Sequence, residues 1–288
     1  MADEITFAQI EGTYSFDYWL ARENMITALF AVNNVLGMVK SSSLVGIASD
    51  AQRFSKPPAL SASALTDGTD MSNTAYTATS QTVNVAEVGL LLELTDLAAG
   101  SQIVDFAQYG RDAGAAVAEK LTTDITALLA AFSGGVGSTT VNLTEQNFLD
   151  AITTLRAAKV NEGLGAILHP QQENDLIISV GSAVTAAGTT GTSPRAVTND
   201  FVASAMGEMG NWFNVATVTN ATVPTANAGA DRAGGMFSRD AIAYVEKWAI
   251  RPELDRNASK RSTEVAVTAA YGVAEIDDAR GVNITTDA

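Results

Sequence analysis

The feature that most constrains the fold is one apolar stripe between residues 101 and 133. Val104, Phe106, Gly110, Ala113, Val117, Leu121, Ile125, Leu128 and Phe132 recur close to the 3.6-residue helical period. Thirty-odd residues at ~1.5 Å each make a rod of about 50 Å, much longer than the average helix. A rod of that length spans more than one small core, so the chain must be organised as lobes across it. Asp96 or Ser101 is placed to cap its start. Gly134 and Gly135 are placed to stop it, so the GGVG at 134–137 reads as a helix end and not as a dinucleotide loop.

The segment before the rod, residues 44–95, has a different character. Short extended pieces (SLVGIAS, QRFSK) are broken by the Pro57–Pro58 pair, and a polar stretch follows with a turn-prone DGTD at Asp67–Asp70. QTVNVAEVGLLLEL then alternates, with Val83, Val85 and Val88 near one face. This reads as a two-armed β excursion with a polar tip. Arms of about twenty residues would reach on the order of 60 Å, so part of the excursion should project. Ahead of it, residues 14–40 carry aromatic and aliphatic residues at helical spacing.

Beyond the rod the pattern is α/β. LTEQNFLDAITTLRAAKV carries a capping arrangement at Thr144 and an apolar face of Phe148, Ile152, Leu155 and Ala158. GLGAILHP reads as a short buried strand, and Pro170 as the first residue of the next helix. Residues 181–200 read as a Gly/Thr/Ala/Ser loop, 199–210 as helix and 212–220 as strand. The last part, 233–288, returns to strand patterning, with Arg251–Arg261 expected as a charged loop between two strands.

Composition excludes several classes of function. Seventeen Lys and Arg face thirty-two Asp and Glu, for a net charge of −15, so strong binding to nucleic acid phosphates or to an anionic membrane is disfavoured. There is no Cys and one His, so common zinc sites and thiol chemistry are out of reach of one chain. His169, between a strand and a proline, is expected to be packed or hydrogen-bonded. No nucleophile elbow or Walker sequence occurs. Asp67 with Asp70, and Asp277 with Asp278, could hold a hard cation, but a turn and a solvated strand end explain them as well. No catalytic, cofactor or metal residue is therefore assigned. Charged residues are only 17%, against about a quarter in ordinary domains. Either the surface is kept neutral for repeated subunit contacts, or the source proteome is biased. The N-terminus lacks the basic and apolar regions of a signal peptide, and no apolar run approaches a membrane span.

The order of elements resembles the HK97-type major capsid protein of tailed bacteriophages. An N-terminal arm, a long two-stranded excursion, one long helix, an α/β lobe holding LTEQNFLDAITTLRAAKV and GLGAILHPQQENDLI, and closing strands GGMFSRDAIAYVEKWAIRPELDRN and VAVTAAYGVAEIDDARGVNI follow in turn. The resemblance covers nearly the whole chain and lies in the order of parts more than in any motif. It implies an α+β capsid fold with an N-terminal arm (1–43), an extended E-loop hairpin (44–95) and a spine helix with part of the peripheral P-domain (96–140). A mainly axial A-domain (141–232) and closing strands of both domains (233–288) complete it. It implies a coat protein, not an enzyme, that assembles into pentamers and hexamers of an icosahedral shell. That shell would enclose double-stranded DNA without sequence-specific binding. The implied partners are other copies of the chain, a portal protein, a separate scaffold protein and a decoration or cement protein, with no membrane. Synthesis in the host cytoplasm and residence in the virion follow. Candidate interface residues are Arg53, Lys56, Asp67 and Asp70 on the excursion, and Arg251, Glu253, Asp255 and Arg256 in the late charged segment. The tip (66–80) has no Lys and Lys56 lies at the base, so covalent cross-linking of subunits is not expected. Two alternatives remain open: an encapsulin-like compartment shell of the same fold, and a metal-dependent hydrolase using acidic residues.

Overall fold

The computed structural model describes residues 34–96, 106–161, 163–189, 211–213 and 215–287, apart from positions 57, 59, 69, 72 and 74. The described chain is α+β, with three sheets. Strands β1 (Lys40–Ser43), β2 (Ala51–Lys56), β3 (Thr79–Asn84) and β4 (Ala86–Thr95) come first, followed by helix α1 (Phe106–Ala127). Then come β5 (Gly135–Ser138), α2 (Glu145–Ala157), β6 (Leu164–Leu168) and α3 (Pro170–Thr189). The last strands are β7 (Asn211–Trp212), β8 (Val215–Thr219), β9 (Thr225–Ala226), β10 (Asp231–Ser238), β11 (Ile242–Asn257), β12 (Ser262–Glu275) and β13 (Gly281–Asp287).

The long helix forms where the stripe predicts it. Its α-helical part ends at Ala127 and tightens into a 3-10 turn over Leu128–Ala131. Val117, Leu121, Ile125 and Leu129 face Ile242, Val267, Ala269 and Tyr271 in one buried cluster. They lay the helix along the four-stranded sheet, whose order is β1-β11-β12-β4. Each fully buried aliphatic side chain there contributes roughly 1.5–3 kcal/mol relative to exposure. Tyr271 Oη donates to Asp124 Oδ2 at 2.9 Å, which fixes the helix's position along β12.

The second sheet runs β5-β13-β10-β6-β8-β7, with β9 added beside β10. Its central strand β10 is buried on both faces. Phe237 points into the first cluster, and Met236 points into a second with Phe148, Ile152, Leu155, Leu168, Leu176 and Ile284. That second cluster is the layer under α2 and α3. Thr144 has extended backbone and accepts from Asn147 N at 3.2 Å, as the capping pattern predicts. Inside the same layer the fully buried Gln172 donates through Nε2 to Arg232 O, Ile284 O and Thr286 Oγ1, and accepts from His169 N.

Four local expectations are corrected, and a fifth is left open. Most of the helix read over 14–40 lies outside the described residues, but its end is a 3-10 turn (Asn34–Met38) followed by strand β1. Residues 181–189 are helix and not loop, because α3 continues to Thr189; the helix read at 199–210 lies outside the described residues. Residues 135–138 are not merely a helix stop, since β5 pairs in parallel with β13. Asp96 pairs with Arg256, and the other cap candidate, Ser101, lies outside the described residues. The charged segment Arg251–Asn257 is strand. It pairs residue for residue with Ser262–Thr268, which leaves only 258–261 as the turn. Its charges alternate outward along an exposed strand, which is why composition alone suggested a loop.

Candidate assembly surfaces

The excursion is built in two parts. β2 and β3 pair antiparallel over six residues each, Ala51 with Asn84 through Lys56 with Thr79. At ~3.3 Å per residue that is about 20 Å of regular ribbon, not the 60 Å expected. The difference arises at Val85. There the second arm leaves β3, and its continuation β4 joins β12 in the four-stranded sheet over ten residues. The switch also changes which residues face inward: Val83 is buried before the break, whereas Val88, Leu90 and Leu92 pack against the core after it. This explains why Val83, Val85 and Val88 fitted only loosely on one face.

The root of the hairpin is seated on the body. Val83 and Leu44 form a small cluster with Ala243 and Val245, and Phe54 and Ile276 pack against it. Gly272 lets the hairpin lie this close, since a Cβ there would stand 2.2 Å from Asn84 O. Lys56 at the rim pairs with Asp277, and Lys247 pairs with Asp50 beside the root. Past the root the character reverses. Every described residue from 60 to 82 is exposed, including Leu60, Leu65, Met71 and Tyr76. Four large apolar side chains thus stand in water along an otherwise polar stretch.

The sequence-expected interface residues fall into two separate groups. On the hairpin, Arg53 donates across the ribbon to Ser80 Oγ at 2.8 Å, and Asp67 and Asp70 stand exposed around the tight turn at Gly68 (φ 78°). Arg251, Glu253, Asp255 and Arg256 line the far end of β11. Arg251 stacks 4.7 Å from the centre of the Trp248 ring and reaches Thr268 Oγ1, with Glu253 at 3.6 Å. Arg256 grips Asp96 with two bonds of 2.6 Å, and this pulls the Asp96 carboxyl below its usual range. Asp255 accepts from Arg256 N at 2.8 Å. On the same face Asp255, Glu264 and Glu93 stand in one row across three strands. Glu93 is held below the ordinary carboxylate range by Ser262 and then Lys260. Sequence reading missed the exposed apolar residues Leu60, Leu65, Met71, Tyr76 and Leu91; isolated apolar letters in a polar run were the only signal available.

Other candidates find structural roles. His169 accepts from Gln171 N at 3.2 Å, and burial followed by the nearby Arg232 lowers its pKa. Asp277 is not a solvated strand end: it caps a 3-10 turn over Asp278–Arg280 and also pairs with Arg280. Asp278 accepts from the backbone and hydroxyl of Ser133. Among the described residues no group of three or more acidic or His side chains is placed to hold a metal ion. Among them no helix is long and apolar enough to cross a membrane.

No family model and no curated protein matches the sequence. Solved structures do match. The chain is similar to a Mycobacterium phage Che8 structure, at 20% identity and a TM-score of 0.68, over 86% of this chain and 89% of that one. It is similar to the capsid of the cyanophage P-SCSP1u at 14% identity and a TM-score of 0.63, over 86% of each chain. It is also similar to a virus-like particle from Pyrococcus furiosus, at 9% identity and a TM-score of 0.60, over 93% of this chain and 98% of that one. The fold is that of shell-forming subunits. More specifically, it is the HK97-like fold of phage capsids, shared along almost the full length of the chain.

Proposed function

We propose that this chain is the major capsid protein of a tailed bacteriophage, a non-enzymatic subunit that self-assembles into pentamers and hexamers of an icosahedral shell around double-stranded DNA. The observation that carries the reading is the full-length likeness to phage capsid subunits, which covers 86% of this chain and 86–89% of theirs. The hairpin supports it independently: its root is fastened to the body, while Leu60, Leu65, Met71 and Tyr76 towards its polar tip stand exposed. In this reading 1–43 is the N-terminal arm and 44–95 the E-loop. Residues 96–140 hold the spine helix and part of the P-domain, 141–232 the A-domain, and 233–288 the closing strands of both. Arg53, Lys56, Asp67 and Asp70, with Arg251, Glu253, Asp255 and Arg256, lie at subunit contacts. A portal protein, a separate scaffold and a decoration protein complete the particle in the virion. The net charge of −15 suits a container whose wall must not grip its DNA.

A second reading is favoured by one observation. The virus-like particle from Pyrococcus furiosus matches over 93% of this chain, so a compartment shell without a genome uses the same subunit design. Negative-stain microscopy of the overexpressed protein tests the common part: closed icosahedral shells are expected, and a monodisperse monomer overturns it. Nuclease-protected double-stranded DNA in particles purified from infected cells separates the two readings. Its presence selects the phage capsid, and a protein cargo in its place selects the compartment.

A further inference from the structure

Three positions on β2 face the body: Gln52, Phe54 and Lys56, while Arg53 and Ser55 face water. From root to rim the inward row passes from the buried Val83 opposite Gln52, through the partly buried Phe54, to Lys56 as the last residue of the strand. Among the described residues, the outermost contact between the ribbon and the body is thus an ion pair and not an apolar contact. Its receptor is a carboxylate group at the β12–β13 turn: Asp277 takes Lys56 Nζ, and Glu275 and Asp278 stand nearby.

Asp277 does not depend on Lys56. It also accepts from Arg280 Nε and from Ala279 N, each at 3.2 Å. Arg280 in turn reaches Asp240, which pairs with Lys40. The Lys56 side chain is 40% exposed, so it is rehydrated easily on leaving. Breaking this contact therefore strands no buried charge, unlike the removal of a partner from an enclosed pair.

We propose that Lys56 is a releasable electrostatic latch on the projecting hairpin, with Asp277 as its catch. The apolar seat of Val83 and Phe54 fixes where the ribbon is rooted, and the latch sets how far it is held down on the body. Resting on the shell-subunit reading, this gives one subunit a way to present the same arm at the different angles that pentamers and hexamers require. Because the Lys56 end of the latch is 40% exposed, salt weakens it and leaves the apolar seat in place.

The test is hydrogen exchange on the full-length chain in its dispersed, non-sedimenting fraction. Peptides covering 51–56 and 79–84 are compared in wild type, Lys56→Met and Lys40→Met. In wild type these amides should exchange about threefold to fivefold faster at about 1 M salt than at about 0.1 M. In Lys56→Met they should already be fast at low salt and respond little to more. Lys40→Met removes an equal charge from the adjoining pair with Asp240 and should leave the hairpin as in wild type. Strands β10 and β13 should be unchanged throughout. Wild-type protection of the hairpin in Lys56→Met overturns the latch. Equal loosening in Lys40→Met, or equal loosening of β10 and β13, does so too, because it assigns the effect to net charge or to global stability. None of these readouts requires a shell, so failure here is distinct from failure of the particles to form.

Discussion

Single residues hold this chain together where its two layers meet, and Gln172 is the plainest case. It is fully buried, and its side chain satisfies three acceptors on β10 and β13 and one donor on the chain entering α3. Gln172→Leu keeps the volume but removes these four hydrogen bonds from a buried layer. A loss of about 2–4 kcal/mol in urea unfolding is expected, and a loss below about 0.5 kcal/mol would show that the layer repacks freely. Asp175, one turn further along α3, makes the opposite case. It is nearly buried, and its Oδ2 is a buried atom without a hydrogen-bond partner. Burial, with a smaller push from Asp287, raises its pKa above the ordinary aspartate value. A carboxyl with a raised folded pKa contributes stability that is fully present below the unfolded pKa and is lost as pH rises through the folded value. Asp175→Asn should therefore melt higher than wild type near neutral pH, and the gap should close on acidification through the carboxylate range. A gap that is constant with pH would refute the assignment.

At the scale of elements, sequence was a good guide wherever the signal was local: a one-sided apolar stripe, a cap, or a short strand pattern bounded by turn residues. The α1 stripe, the Thr144 cap, the β6 strand and the closing strands β10 to β13 were all legible, because period and capping chemistry are local. It was a poor guide where partners decide. Nothing local in NVAEVG says that the chain changes sheets at Val85, and nothing in RPELDRN says that a charged run continues a strand. In both places the deciding force is backbone pairing to β12, a strand nearly two hundred residues away from Val85. The candidate surfaces were legible to the same degree. The polar tip and its Asp67–Asp70 turn were read correctly as exposed, while the engagement of Lys56, Arg251 and Arg256 within their own subunit depends on folded geometry. Close approach of elements gives a further test. Gly272 on β12 lies under the carbonyl of Asn84, and an added Cβ would be 2.2 Å from it. Gly272→Ala should push the hairpin root off its seat and cost about 1–3 kcal/mol, in the range of overpacked sites. Proteolysis should then cut within 57–78 and near Val85 sooner than in wild type. Unchanged cleavage would mean that β12 yields and the hairpin stays in place.

For the molecule as a whole, the question is what the exposed tip does once many copies meet. A lone subunit gains nothing from holding Leu65, Met71 and Tyr76 at 64%, 74% and 62% exposure. Each is an unrealised burial of roughly 1.5–3 kcal/mol. One tip is small beside the ~800 Å² that each partner of a stable pair usually contributes. In a closed lattice, however, every subunit is already tethered by its other contacts. On the proposed shell-subunit reading, the tip would then bind at high effective concentration, and weak gains would multiply around the shell. Substitution tests this more cleanly than removal of 66–80, because Thr79 and Ser80 pair with Lys56 and Ser55 and their loss would cut into the ribbon. Replacing Leu65, Met71 and Tyr76 together by Asp leaves every described buried contact intact. The dispersed chain should keep its urea midpoint within the roughly ±0.5 kcal/mol usual for surface changes. The same protein should fail to sediment as shells, or give shells that fall apart on mild heating. Wild-type yield and heat stability from the triple variant would show that the tip is ordinary solvated surface, and any lattice would then have to draw its cohesion from other surfaces.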